Sequence, residues 1–158
     1  METHILYAND IKNQDLTIFV KLIYNNFIEL TEEDKLMHNH EEIEKNLRSD
    51  NSVIIIMTDK KTKKMIGFLT ANIMELDDRR LVFYISYIYT AESYRNSGLG
   101  TELMDLAEKL GRKHKCNGIM LIFDTYKPNL VRFYENRGYM QDINLRRYER
   151  HDVFYKIL

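Results

Sequence analysis

Arg95, Gly98 and Gly100 stand in the run Tyr94-Arg95-Asn96-Ser97-Gly98-Leu99-Gly100-Thr101, a spacing that suits anion binding. The stretch before it, Leu81-Val82-Phe83-Tyr84-Ile85-Ser86-Tyr87-Ile88-Tyr89, is rich in β-branched and aromatic residues and reads as a strand. After it Leu99, Leu103, Leu106, Ala107 and Leu110 recur at helical spacing. A strand, a glycine turn and a helix start make a phosphate site, because the first helical amides lack partners and the dipole adds positive charge there. Gly98 and Gly100 have no Cβ and let a phosphate approach the backbone; Arg95 can add a charge-assisted contact. The ATP-binding glycine loop needs Gly-Lys-Ser/Thr, and Leu99-Gly100-Thr101 has no such lysine. The dinucleotide fingerprint needs a third glycine where Leu103 stands.

A second stretch, Leu130-Val131-Arg132-Phe133-Tyr134-Glu135-Asn136-Arg137-Gly138-Tyr139, follows after one expected strand. Together, Arg-x-x-Gly-x-Gly and Phe-Tyr-Glu-x-x-Gly-aromatic resemble the two signatures of the GCN5-related N-acetyltransferases. The resemblance covers residues from about 65 to 139 well, and the N-terminal part by element order alone. It implies acetyl-coenzyme A as cosubstrate and an amine as acceptor. The backbone of Arg95, Asn96, Ser97, Gly98, Leu99, Gly100 and Thr101 would then hold the pyrophosphate. The edge of Ile88, Tyr89 and Thr90 would pair with the pantetheine arm like an added strand. Asn129, Phe133 and Tyr134 would complete the cofactor contacts. An asparagine common seven residues before the tyrosine is replaced by Lys127, with Asn129 close by.

Acetyl transfer to an amine needs a neutral amine, since an alkylammonium with pKa ~10.4 has no lone pair. It also needs the leaving thiolate to be protonated or stabilised. The resemblance makes Tyr134 the acid beside the sulfur. Many family members carry a glutamate nine residues before the loop arginine, where this chain has Ser86. Serine cannot serve as a base unaided. Strand alternation puts Tyr84, Ser86, Ile88 and Thr90 on one face. Tyr84 sits where some protein N-terminal acetyltransferases carry a tyrosine proposed as base, and Asp124 is the nearest acidic alternative. Either could act through water. The missing glutamate keeps open a non-catalytic acyl-coenzyme A-binding domain as the alternative. A nucleotide-phosphate binder is a third reading, which ATP or GTP binding would favour.

The chain has 158 residues, 44% hydrophobic and 30% charged, which fits one acetyltransferase domain over residues 1–158. A net charge of −1 gives no drive toward nucleic acid or membrane. The single cysteine, Cys116, excludes an intrachain disulfide. No apolar run approaches the ~20 residues of a membrane span. The start Met1-Glu2-Thr3-His4 lacks the regions of a signal peptide. A cytoplasmic protein is expected, with a homodimer left open. Five histidines and one cysteine form no ligand spacing, so no metal is expected.

The remaining pattern must position these residues. A short first strand is expected at Ile5-Leu6-Tyr7. A helix follows on Leu16, Phe19, Leu22, Ile23 and Phe27, and a second on Leu36, His40, Ile43 and Leu47, capped by Thr31-Glu32-Glu33-Asp34. His40 reads as a partly buried helix residue. Strands at residues 53–57, 65–73 and 81–90, joined by polar turns, argue an antiparallel meander. Helix and strand after the glycine loop imply a right-handed crossover and a parallel pair. Last come the Tyr134 helix, a strand at 139–143 and a strand at 153–157. The fold class is α/β of α+β type. The resemblance adds a mixed, mostly antiparallel sheet whose central parallel strands splay around the cofactor. It also assigns substrate choice to the turn at 29–34 and the hairpin at 144–152.

Overall fold

In the computed structural model, residues 1–7, 10–26, 39–124, 127–143 and 151–158 are described. Among them the order is β1 (Glu2–Tyr7), α1 (Asn13–Asn26), α2 (His40–Arg48), β2 (Ser52–Thr58), β3 (Met65–Glu75) and β4 (Leu81–Thr90). After these come α3 (Leu99–Lys113), β5 (Gly118–Asp124), α4 (Pro128–Asn136), β6 (Met140–Gln141) and β7 (His151–Ile157). The strands form one mixed sheet in the order β1-β2-β3-β4-β5-β7-β6. β4 and β5 run parallel, with Val82 opposite Gly118 and Ile85 opposite Leu121, as the crossover through α3 requires. Their ladder ends at Ile85, whereas β4 runs on to Thr90. The pairs β1–β2, β2–β3, β5–β7 and β6–β7 are antiparallel.

The chain divides into two compact units, Met1–Asn72 with Tyr87–Leu103 and Ile73–Ser86 with Met104–Leu158. In the first, the α1 stripe buries Leu16, Phe19, Val20 and Ile23 with Ile43 and Leu47 of α2, against Ile54 and Phe68 of the sheet. Phe19 meets the Phe68 ring edge-on at 5.8 Å. These are the 3.6-residue and 2-residue periods of the sequence converted into one core.

One expectation here is corrected. His40 is exposed rather than partly buried, because it is the first residue of α2. Asn39 caps the helix by accepting from the Glu42 amide at 2.9 Å, and the His40 ring meets Tyr24 at 4.2 Å. The expected cap at Thr31, the stripe residues Phe27 and Leu36, and the turn at 29–34 lie outside the described residues.

In the second unit Leu76, Val82, Met120 and Val153 form a cluster against which Tyr84, Ile122 and Tyr155 pack. Asn117 enters β5 by accepting the Leu81 amide at 2.8 Å. The strand expected at 139–143 shortens to Met140 and Gln141. The Tyr139 amide turns back to the Tyr134 carbonyl at 3.1 Å instead of pairing with β7, while the Asp142 amide still donates to Val153 at 2.7 Å and its carboxylate accepts from Arg80 at 3.0 Å. Residues 144–150 of the final hairpin lie outside the described residues.

Candidate active site

The glycine loop belongs to the first unit, and its sequence explains its path. After β4 a single 3-10 turn, Glu92–Tyr94, reverses the chain, with the Tyr94 amide bonded to the Ala91 carbonyl at 2.8 Å. Asn96 and Gly98 then take φ of 60° and 86°. Asparagine tolerates that left-handed region and glycine enters it freely. The first α3 bond runs from the Glu102 amide to the Gly98 carbonyl at 3.0 Å. Gly98 is therefore the cap, and the amides of Gly98, Leu99, Gly100 and Thr101 have no acceptor within the helix. A Cβ built on Gly98 meets no atom within 4 Å, so the space beside this backbone is open. Arg95 is exposed, and its Nε bonds the Thr90 carbonyl at 3.4 Å. Ser97 donates its hydroxyl to the Tyr94 carbonyl. Amides without a helical acceptor, a helix N-terminus and room for a close approach are features that suit an anion.

Two residues that sequence reasoning passed over shape that loop. A Cβ on Gly67 of β3 would lie 3.0 Å from the Tyr89 carbonyl oxygen and 3.1 Å from Leu99 Cδ2. Glycine there lets the end of β4 and the start of α3 pack against β3. A lone glycine within a strand pattern is the signal that could have found it. Asp59, in the polar hairpin turn, accepts from the Tyr94 hydroxyl at 3.3 Å.

The remaining candidates belong to the second unit, apart from Ile88, Tyr89 and Thr90, which share the first unit with the loop. Tyr134 is 3% exposed on α4. Its ring lies 4.9 Å from Phe123, 5.1 Å from Phe133 and 5.7 Å from Tyr139. Among the described residues no partner hydrogen-bonds its hydroxyl. Burial pushes its phenol up to about 12, with Arg137 pulling weakly the other way. Tyr84 and Ser86 are half-buried on one face of β4, between the buried Phe83, Ile85 and Tyr87. Asn129 is exposed at the start of α4 and accepts from Arg132 at 2.5 Å. Asp124 ends β5 opposite His151, and its side chain lies outside the described residues. Sequence reasoning also missed Glu108, 6% exposed on α3, whose carboxylate accepts from Arg137, Tyr139 and Lys156.

Comparison with known proteins agrees with this architecture. The family model described as "Acetyltransferase (GNAT) family" matches residues 20–139. The chain belongs to this acetyltransferase family. No curated protein matches it significantly. Among solved structures it is similar to Arabidopsis thaliana NAA60 in complex with a bisubstrate analogue, at 16% identity and a TM-score of 0.70, covering 99% of this chain and 98% of that one. The PaiA N-acetyltransferase of Thermoplasma acidophilum, in complex with coenzyme A, gives 16% identity and 0.69, with 100% of both chains covered. The NatC complex bound to Gag peptide and coenzyme A gives 20% and 0.65, covering 100% of this chain and 98% of that chain. At these identities the likeness is one of fold. Among the described residues no helix is long and apolar enough to cross a membrane, and no cluster of three or more potential metal ligands occurs.

Proposed function

We propose that the chain is an acetyl-coenzyme A-dependent N-acetyltransferase acting on a primary amine of a small molecule or of a protein. The observation that carries this reading is the open, left-handed Gly98 at the head of α3, beside four amides without helical acceptors. The names of the similar structures support it: two contain coenzyme A, and one of these also holds a peptide. Acetyl-coenzyme A, as cosubstrate, supplies the activated acyl group. Residues 95–101 would bind its pyrophosphate, the backbone of Ile88, Tyr89 and Thr90 would orient its arm, and Asn129 and Phe133 would flank it. We assign the whole span 1–158 to one such domain working in the cytoplasm, as a monomer or homodimer.

Tyr134 would hold the proton the leaving sulfur needs. With its phenol near 12, full transfer to a thiolate of conjugate pKa ~8.5 is uphill by about 5 kcal/mol. Its role is then chiefly to donate a hydrogen bond that stabilises the thiolate as it leaves. Tyr84 or Asp124, through an ordered water, would receive the amine's proton near Ser86.

A second reading, a non-catalytic acyl-coenzyme A-binding domain, is favoured by Ser86 and by the packing of Tyr84 against the Val82 cluster. One assay separates the two. The protein is incubated with acetyl-coenzyme A and a library of amines and peptides while free thiol is followed. Turnover on any amine establishes the transferase, and binding of coenzyme A without turnover across the library favours the rival.

A further inference from the structure

We propose that Glu108 is a positioning residue for the Tyr134 hydroxyl; the catalytic part of this inference rests on the thiolate-stabilising reading of Tyr134. The Tyr134 ring packs against Phe123, Phe133 and Tyr139, so that packing and the backbone around α4 set where its hydroxyl points. The Tyr134 carbonyl accepts from the Arg137 amide at 3.0 Å and the Tyr139 amide at 3.1 Å. Those same two residues are the ones fastened to Glu108. Arg137 Nη2 donates to Oε1 at 3.1 Å, and the Tyr139 hydroxyl donates to Oε1 at 3.2 Å. Lys156 of β7 donates to Oε2 at 3.1 Å. Asp105, one turn earlier on α3, takes a second Arg137 contact at 2.6 Å. The turn that closes the end of α4 onto the Tyr134 carbonyl is thus held onto α3 by Glu108 and Asp105.

The chemistry of the cluster requires a carboxylate. Three donors converge on its two oxygens, and two cations, Arg137 and Lys156, balance Glu108 and Asp105. A glutamine of the same shape keeps one oxygen but turns an N–H₂ toward a donor, leaving a clash of like groups and an unbalanced cation. A device for stability alone could have been an apolar side chain of similar volume. The bonds to Tyr139 matter most for orientation, since its ring packs edge-on against Tyr134 at 5.7 Å.

The test uses the full chain with 13C at the tyrosine ζ-carbon, comparing wild type, Glu108→Gln, Tyr134→Phe and the double variant. The Tyr134 resonance is identified by its loss in Tyr134→Phe. The expected result is that Glu108→Gln moves that resonance and lowers kcat by about tenfold or more, with KM for acetyl-coenzyme A changed less than about twofold. In the Tyr134→Phe background the same change should leave kcat nearly unaltered, because the two act as one unit. An unmoved resonance overturns the proposal, as does an equal loss of kcat in both backgrounds. A moved resonance with Tyr134→Phe still fully active leaves Glu108 as the positioning residue and removes the catalytic reading of Tyr134 instead. Should Glu108→Gln fail to fold, Tyr139→Phe, which deletes one bond to Glu108, is read the same way.

Discussion

Asp59 accepts a hydrogen bond from the Tyr94 hydroxyl at 3.3 Å and so ties the tip of the β2–β3 hairpin to the residue that precedes Arg95. The other oxygen of the same carboxylate takes the amides of Lys61 and Thr62, at 3.0 and 2.7 Å, and the Thr62 hydroxyl at 3.0 Å. One side chain both closes a turn and steadies the approach to the glycine loop. The expected outcome of Asp59→Ala is a several-fold weaker Kd for coenzyme A, measured by calorimetry, with the Tyr134-dependent step unaffected.

The same carboxyl sets an acid limit. The Thr62 amide first, then its hydroxyl, hold Asp59 below the usual carboxylate range. A depressed folded pKa adds stability that is fully present above the unfolded value, about 3.9, and is lost as pH falls through the folded value. Denaturant titration should therefore show Asp59→Asn less stable than wild type at pH 6, with the gap closing as pH drops below about 4.

Substitution at Gly98 should act through the backbone rather than by collision, since its Cβ direction is empty and its φ is 86°. Gly98→Val should cost about 1–2 kcal/mol of stability and abolish the thermal shift given by coenzyme A. Gly98→Asn, which accepts that conformation, should keep the stability and lose only part of the affinity. Equal shifts in wild type and Gly98→Val would sink the pyrophosphate assignment.

Tyr134→Phe removes a hydroxyl that no described residue bonds, so folding stability near neutral pH should barely change while kcat drops by about 10²-fold or more. At alkaline pH the sign differs. The raised phenol pKa contributes stability that is present below pH ~10 and lost between about 10 and 12, up to roughly 3 kcal/mol. The variant should unfold less steeply with rising pH over that interval, as followed by circular dichroism.

Tyr84→Phe separates the base from the core. Tyr84 packs against the cluster of Leu76, Val82, Met120 and Val153, and the substitution keeps the ring. A fall of at least about tenfold in kcat/KM, ~1.4 kcal/mol, is the expected result. If kcat/KM instead follows only the fraction of neutral amine, in both Tyr84→Phe and Asp124→Asn, solvent removes the proton.

The strand–loop–helix unit was legible because its signals are local: Gly98, Gly100 and the leucine period lie within a dozen residues of one another. The α1 stripe and the parallel β4–β5 pair followed from periodicity and crossover rules in the same way. His40 was misjudged because a shared helical face predicts burial only inside a helix, and the helix begins at that residue. Asp59 and Tyr94 are 35 positions apart, Glu108 and Arg137 29, and Glu108 and Lys156 48. Partner choice at such separations has no periodic trace, since each charge alone reads as a solvated face. The same holds for the insertion of β7 between β5 and β6, which chain order conceals.

The brevity of β6 has a bearing on how the protein survives at high concentration. A terminal strand with a long row of free amides and carbonyls is a template onto which a foreign chain can polymerise. Among the described residues the rim beyond β7 is Met140 and Gln141, with Met140 75% exposed. Two residues give too few hydrogen bonds to hold an added strand. At the opposite end of the sheet order, β1 carries Glu2, which pairs with Lys63 at 2.8 Å, so a charge guards that border. Lengthening the β6 rim, rather than loosening the core, is the change that would turn this sheet toward aggregation.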